Sequence, residues 1–268
     1  MTRFQTILLV GCGNMGGAML AGWLAAGMAP SRFTVVDPML AAAPDGVELL
    51  RELPAGRTFD AILLGVKPQL LGDVAPALAA LAGAETTVLS ILAGVELDSL
   101  AARFPAAGGL VRVMPNLAAA IGKSPVALAA RGLDQAGIDA VTTLMQPLGT
   151  PEWLADEALF DLVTALAGSG PAFVYRFIDA LAQGAAALGL PHDQAERLAI
   201  ATVEGASLLA AASPHAPAEL ARRVASPGGT TQVGLDVLDA DGALLRLIEA
   251  TLRGARDRSA EMARAARG

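Results

Sequence analysis

Residues 5–17, Gln-Thr-Ile-Leu-Leu-Val-Gly-Cys-Gly-Asn-Met-Gly-Gly, constrain the fold more tightly than any other stretch of the chain. The apolar run Ile7–Val10 leads straight into Gly11-x-Gly13-x-x-Gly16. Met19, Leu20, Trp23 and Leu24 then recur at helical spacing. The pattern reads as strand, tight glycine turn, helix. In such a unit the first glycine permits the turn and the second lets the backbone approach a pyrophosphate. The third lets the helix pack close to the strand. The anion sits at the helix N-terminus, where N–H groups lack intrahelical partners. A lone GxGxxG also occurs in turns that hold no cofactor. Here Asp37 closes the next apolar run, Phe33–Val36, and supplies the acid that such units turn toward ribose.

The alternation of strand and helix continues. Continuous apolar runs at 61–66, 87–92 and 110–114 predict buried parallel strands, with shorter strands at 125–129 and 150–154. Helices are predicted over 70–81 and 97–104, and from Asp134, an N-cap residue, to Met145. Residues 40–58, with Pro44 and Pro54, predict no regular element. Beyond Trp153 the strand signal ends. Helices are predicted over 156–167, 171–188, 193–212, 219–224, 233–238 and 243–264. The expected fold class is α/β: a Rossmann-like doubly wound sheet over 1–154, followed by an all-helical domain over 155–268.

Composition narrows the function. The single cysteine, Cys12, lies inside the glycine turn, which excludes disulfides and cysteine zinc sites and suits the cytoplasm. His192 and His215 sit in proline-flanked, loop-like stretches and read as surface polar residues, and no metal site is predicted. The net charge is −7 with no basic run, so nucleic acid is not an expected partner. The N-terminus shows no signal-peptide pattern. The long apolar stretch 172–190 carries Arg176, Asp179 and Gln183, so no membrane span is expected. With 54% hydrophobic residues the chain has more apolar surface than one core requires, which points to an oligomer.

Ligands of open α/β sheets bind beyond the carboxyl ends of the strands. Four such ends carry distinctive residues: the glycine turn, Asp37, Val66-Lys67-Pro68 and Met114-Pro115-Asn116. Lys67 is one of two lysines and is placed to contact ribose or phosphate. Asn116 is placed near a nicotinamide amide, or serves only its own turn. Two further loops, Ser169-Gly170-Pro171 and Ser226-Pro227-Gly228-Gly229-Thr230-Thr231, put glycines and hydroxyls just before helices. Each reads as a carboxylate site built without arginine, or as an ordinary capped turn.

Together, GCGNMGGAML at 11–20, GVKPQ at 65–69, VRVMPN at 111–116, LAGSGPAFVYRFIDAL at 166–181 and VASPGGTTQVGL at 224–235 resemble the pyrroline-5-carboxylate reductase family. The resemblance spans nearly the whole chain, and its last two motifs are the most specific. It implies reduction of 1-pyrroline-5-carboxylate, a cyclic imine, to L-proline with NADH or NADPH. It also implies a homodimer formed through the C-terminal domain, and in many members a larger ring of dimers. By resemblance, Gly11, Gly13, Asn14, Met15, Gly16, Val66, Lys67 and Pro68 bind cofactor, with Asp37 and Asn116 beside them. Ser169, Gly170, Pro171, Gly228, Gly229 and Thr230 hold substrate, and Thr231 is the catalytic hydroxyl at the imine nitrogen. Asp37 favours NADH over NADPH because a 2′-phosphate would meet a like charge.

A β-hydroxyacid dehydrogenase shares the GxGxMG start but needs a lysine early in the first helix after the inter-domain region. Residues 169–174 contain none. A non-catalytic dinucleotide sensor would have no need of the two substrate loops.

Overall fold

The computed structural model describes residues 3–267. The first half builds one sheet from eight strands. These are β1 (Ile7–Val10), β2 (Phe33–Val36), β3 (Glu48–Leu50), β4 (Ala61–Leu64), β5 (Thr87–Ser90), β6 (Gly109–Met114), β7 (Ser124–Arg131) and β8 (Gly149–Trp153). Their order is β3-β2-β1-β4-β5-β6-β7-β8. The first six run parallel, β7 runs antiparallel to β6, and β8 is parallel to β7. The reversal at β7 has a simple cause. The connection 115–123 is shorter than the dozen or so residues that a parallel crossover needs. It folds instead into a 3₁₀ turn at Leu117–Ile121, closed by Gly122 at φ 65°.

Successive residues of a strand face opposite sides of the sheet. Ile7 and Leu9 therefore enter one core, with Trp23, Phe33 and Leu144, while Leu8 and Val10 enter the other, with Ile62, Leu78 and Phe104. Helix α1 (Asn14–Ala25) follows β1, α2 (Leu71–Ala79) follows β4, α3 (Leu97–Arg103) follows β5, and α4 (Gln135–Met145) follows β7. The Trp23 ring stacks on Phe33 at 5.5 Å, and its indole N–H donates to the Leu144 carbonyl at 2.7 Å, tying α1 to α4. Asp134 caps α4 by accepting the Gly137 N–H.

Three features depart from the sequence reading. Residues 40–58 contain a strand, β3, whose three residues pair with β2 although the connection 37–47 forms no helix. The helix expected over 156–167 is broken into a 3₁₀ turn at Glu157–Leu159, a short helix α5 (Phe160–Val163) and a π turn at Thr164–Gly168. Its start is capped as expected, by Asp156 accepting the Ala158 N–H. His192 opens a helix and does not lie in a loop.

The second half is helical: α6 (Gly170–Ala187), α7 (His192–Ala212), α8 (Pro217–Val224), α9 (Thr230–Asp239) and α10 (Ala243–Arg267). The chain divides into two compact units, Met1–Ser169 with Gly254–Gly268, and Gly170–Arg253. The division falls later than residue 154, and the end of α10 joins the first unit. The second unit is thinly packed. Its core holds only Ala182, Ala195 and Ala199 as buried residues, and α8 and α9 bury none. Leu209, Val237 and Leu247 are 71%, 71% and 64% exposed.

Candidate active site

The strand order reverses direction at β1, which has β2 on one side and β4 on the other. The glycine turn leaves β1 at this switch point, where doubly wound sheets bind ligands. Gly11 takes φ 84°, a conformation that favours glycine, and donates to the Val36 carbonyl at 2.9 Å. A Cβ at Gly11 would sit 2.8 Å from the Gly65 and Val66 backbone, and one at Gly16 would sit 2.9 Å from the Gly11 carbonyl oxygen. Glycine is thus required at both positions by the backbone that surrounds them. Gly13 is different, because a Cβ there would meet nothing within 4 Å. It is exposed at the N-cap of α1, and the first intrahelical bond there is Gly17 N–H to the Gly13 carbonyl. The first-turn N–H groups of Asn14, Met15 and Gly16 therefore have no intrahelical partner, and those of Asn14 and Met15 lie beside the exposed Gly13. The cradle fits the pyrophosphate of a dinucleotide.

Asp37 ends β2 with its N–H on the Leu50 carbonyl. Its Oδ2 accepts the Cys12 N–H at 2.8 Å, and its Oδ1 accepts those of Met39 at 2.8 Å and Leu40 at 3.1 Å. Burial works against its ionisation, but the three N–H groups and the charge of Arg51 outweigh it and hold the carboxyl below its ordinary range. Cys12 is buried, and burial followed by the charge of Asp37 raises its thiol pKa, so it is a packed side chain and not a poised thiolate. Arg51, the first arginine after Asp37 and distant from it in sequence, reaches back from the end of β3. Its Nη1 donates to the carbonyls of Asp37 at 2.9 Å and Leu40 at 2.6 Å.

Val66 and Pro68 are partly exposed and Lys67 is exposed, at the N-cap of a 3₁₀ turn beyond β4. Asn116 is buried and its side chain is engaged at both ends. Oδ1 accepts the Ala118 N–H at 2.9 Å, and Nδ2 donates to the Ala167 carbonyl at 2.9 Å. It thus fastens the turn after β6 to the π turn that precedes Ser169. A Cβ at Gly168 would lie 3.3 Å from the Met114 sulfur, which keeps this seam close.

Beneath the seam, Arg112 on β6 is 4% exposed. It donates to Glu157 Oε1 at 2.7 Å and lies over the Phe160 ring at 3.9 Å. The same Glu157 oxygen accepts the Leu97 N–H at 2.8 Å, capping α3 from a distant part of the chain. No single motif in the sequence announces this network.

Ser169 is the last residue of the first unit before Gly170, and Gly170-Pro171 opens α6 in the second, with Gly170 its first residue. Gly228 takes φ 71° and Gly229 is the N-cap of α9, with its N–H on the Ser226 carbonyl at 2.9 Å. A Cβ at Gly229 would collide with the Ser226 hydroxyl. Thr230 and Thr231 are the first two residues of α9 and are exposed. No side chain caps the helix. The first-turn N–H groups of a ten-residue helix therefore lie beside two exposed threonines at its start.

This fold and this site define a two-part protein with a doubly wound nucleotide-binding sheet joined to a helical unit. A family model described as "NADP oxidoreductase coenzyme F420-dependent" matches residues 6–94, and one described as "Pyrroline-5-carboxylate reductase dimerisation" matches residues 157–262. The chain is 36% identical to a pyrroline-5-carboxylate reductase of Pseudomonas aeruginosa, over 96% of each chain. A solved pyrroline-5-carboxylate reductase of Coxiella burnetii superposes with a TM-score of 0.89 at 29% identity, covering 96% of this chain and 98% of that one. A Plasmodium falciparum pyrroline carboxylate reductase, solved with NADP bound, shares the fold at a TM-score of 0.79 and 22% identity, covering 98% and 99%. The chain belongs to the pyrroline-5-carboxylate reductase family.

Proposed function

We propose that this protein reduces 1-pyrroline-5-carboxylate to L-proline, the last step of proline synthesis. What carries the reading is the presence in one chain of the glycine turn at the β1/β4 switch point and the Ser226–Thr231 start of α9, in a chain alike over 96% of its length to a reductase of that name.

NADH or NADPH, when bound, supplies the hydride. Gly11, Gly13 and Gly16, with the N–H groups of Asn14 and Met15, hold its pyrophosphate. Asp37 faces the adenosine ribose, and Val66, Lys67 and Pro68 line the neighbouring strand end. Asn116 fixes the backbone at the end of β6. The substrate is a cyclic imine bearing a carboxylate. Once protonated, its imine carbon is already electrophilic, so the protein needs mainly to orient it and neutralise its acid group. Gly228 and Thr230 offer backbone N–H groups and a helix N-terminus for that carboxylate, Gly229 keeps side-chain bulk out of its way, and Ser169, Gly170 and Pro171 are its second support. The Thr231 hydroxyl hydrogen-bonds at the imine nitrogen. Asp37 gives NADH the advantage over NADPH.

In this reading 1–154 bind the dinucleotide and 155–268 bind substrate and a second copy of the chain, and the dimers join into a larger ring. The stretch 157–187 is, by length and composition, apolar enough to cross a membrane. We read it as a subunit interface, because it falls within the dimerisation match and carries the Arg176–Asp179 pair at 2.5 Å. We place the protein in the cytoplasm.

The test is oxidation of NADH and of NADPH by the purified protein with pyrroline-5-carboxylate, and with a β-hydroxyacid and NAD as control. Turnover of the imine alone is expected. Turnover of the hydroxyacid alone, or cofactor binding without turnover of either, overturns the assignment.

A further inference from the structure

The connection between β2 and β3 is short and forms no helix, so the end of β3 lies directly beside the end of β2, with Val36 paired to Leu50. Arg51 follows at once. One nitrogen of its guanidinium, Nη1, takes both carbonyl bonds, to Asp37 and Leu40. Among the described residues Nε and Nη2 carry no hydrogen bond, and the side chain is exposed. A cation is therefore pinned by one corner against the turn at the end of β2, with its Nε and Nη2 donors left unused in an exposed side chain. That geometry suits bidentate recognition of a phosphate.

Asp37 supplies the opposite charge at the same place. Its two oxygens already accept three backbone N–H groups. A carboxylate has about four acceptor positions, so it has room for about one ribose hydroxyl. Asp37 alone would repel a 2′-phosphate, but beside Arg51 it does not act alone.

We propose that Arg51 is the specificity-determining residue that receives the cofactor's 2′-phosphate, so that the chain accepts NADPH alongside NADH in spite of Asp37. The inference rests on the dinucleotide reading of the glycine turn. It predicts that charge at position 51 sets the ratio of the two cofactors, while Asp37 sets the baseline.

Calorimetry on the full-length protein tests it with two probes that cannot react, 5′-AMP and 2′,5′-ADP. Arg51→Gln is expected to weaken 2′,5′-ADP by about tenfold to a hundredfold, the range for a hydrogen bond to a charged group, and to weaken AMP far less. Arg51→Lys, which keeps the charge and loses the fork, is expected to fall between. The ratio of kcat/KM for NADPH to that for NADH should follow the same order. If Arg51→Gln weakens both nucleotides equally, Arg51 only clamps the turn and the proposal fails. It fails as well if 2′,5′-ADP is insensitive to position 51 while AMP binds normally, and the dinucleotide reading then stands. If wild-type protein binds neither nucleotide, both readings fall.

Discussion

At Asp37 one carboxylate organises three N–H groups of two loops, and this gives the residue a structural role beside the selective one proposed for it. Its depressed pKa stabilises the fold at pH values above the ordinary 3.8, and that contribution is lost as the pH falls through the lower folded value. Asp37→Asn should therefore lower the melting temperature near neutrality, and the gap to wild type should narrow as the pH is taken below the carboxylate range. Thermal melts at several pH values check this. Asp37→Ser should raise the use of NADPH relative to NADH, and competing kcat/KM values measure it. Thr231 is the opposite kind of residue, exposed and without a cap to hold. Thr231→Ala should lower kcat/KM by roughly one to two powers of ten, as expected for about 1.5–3 kcal/mol of hydrogen bonding to a charged group. NADH affinity should barely change. Thr230→Ala should do less, and since Gly229 is the cap, it should leave the melting temperature near that of wild type.

Helix α1 shows how elements carry the site. A Cβ at Gly22 would drive into the Ala119 carbonyl and crowd Leu148, so α1 is seated against the 3₁₀ turn after β6 by the lack of a side chain. The Arg112–Glu157 pair performs the same service for α3 and α5. Glu157→Ala strands a buried guanidinium and should cost about 3–5 kcal/mol, whereas replacing both residues with apolar ones should recover much of the loss. Chemical denaturation of both variants decides it. Most of these elements are legible in the sequence, because four-residue runs such as Ala61–Leu64 have only one use in a parallel sheet. Strand β3 is not legible. Its three residues, Glu48–Leu50, are partly exposed at a sheet edge and derive their order from β2. The break at Thr164–Gly168 is hidden too, since a π turn has no composition of its own. The contacts of Arg51 and Glu157 escape a sequence reading for one reason: their partners lie eleven and fourteen residues away for the first and forty-five or more for the second, and only the fold brings them together.

Taken whole, the second unit cannot stand alone in water. Three buried alanines make a poor core, and the leucines and valines of α7, α9 and α10 remain in solvent in the single chain. A second copy that covers them is what the dimerisation match over 157–262 implies. Leu209→Asp should dissociate or precipitate the protein. Light scattering of wild type should show a dimer or larger, and an active monomer at micromolar concentration would sink the idea. The last helix adds a different constraint. It starts among the helices and finishes in the first unit, where Ala263 is buried, its backbone lies 3.0 Å from where a Gly94 Cβ would be, and Ser259 donates to Asp161 at 2.7 Å. Residues 254–263 of α10 thus pack with the strand-bearing unit and not with the helices that precede them. A premature stop that removes residues from 254 onward would spare every motif named above and yet unseat the nucleotide-binding half. Conversely, a fragment cut at 154 would lack both Asp161 and the α10 residues that meet Gly94, and is expected to melt below the full chain.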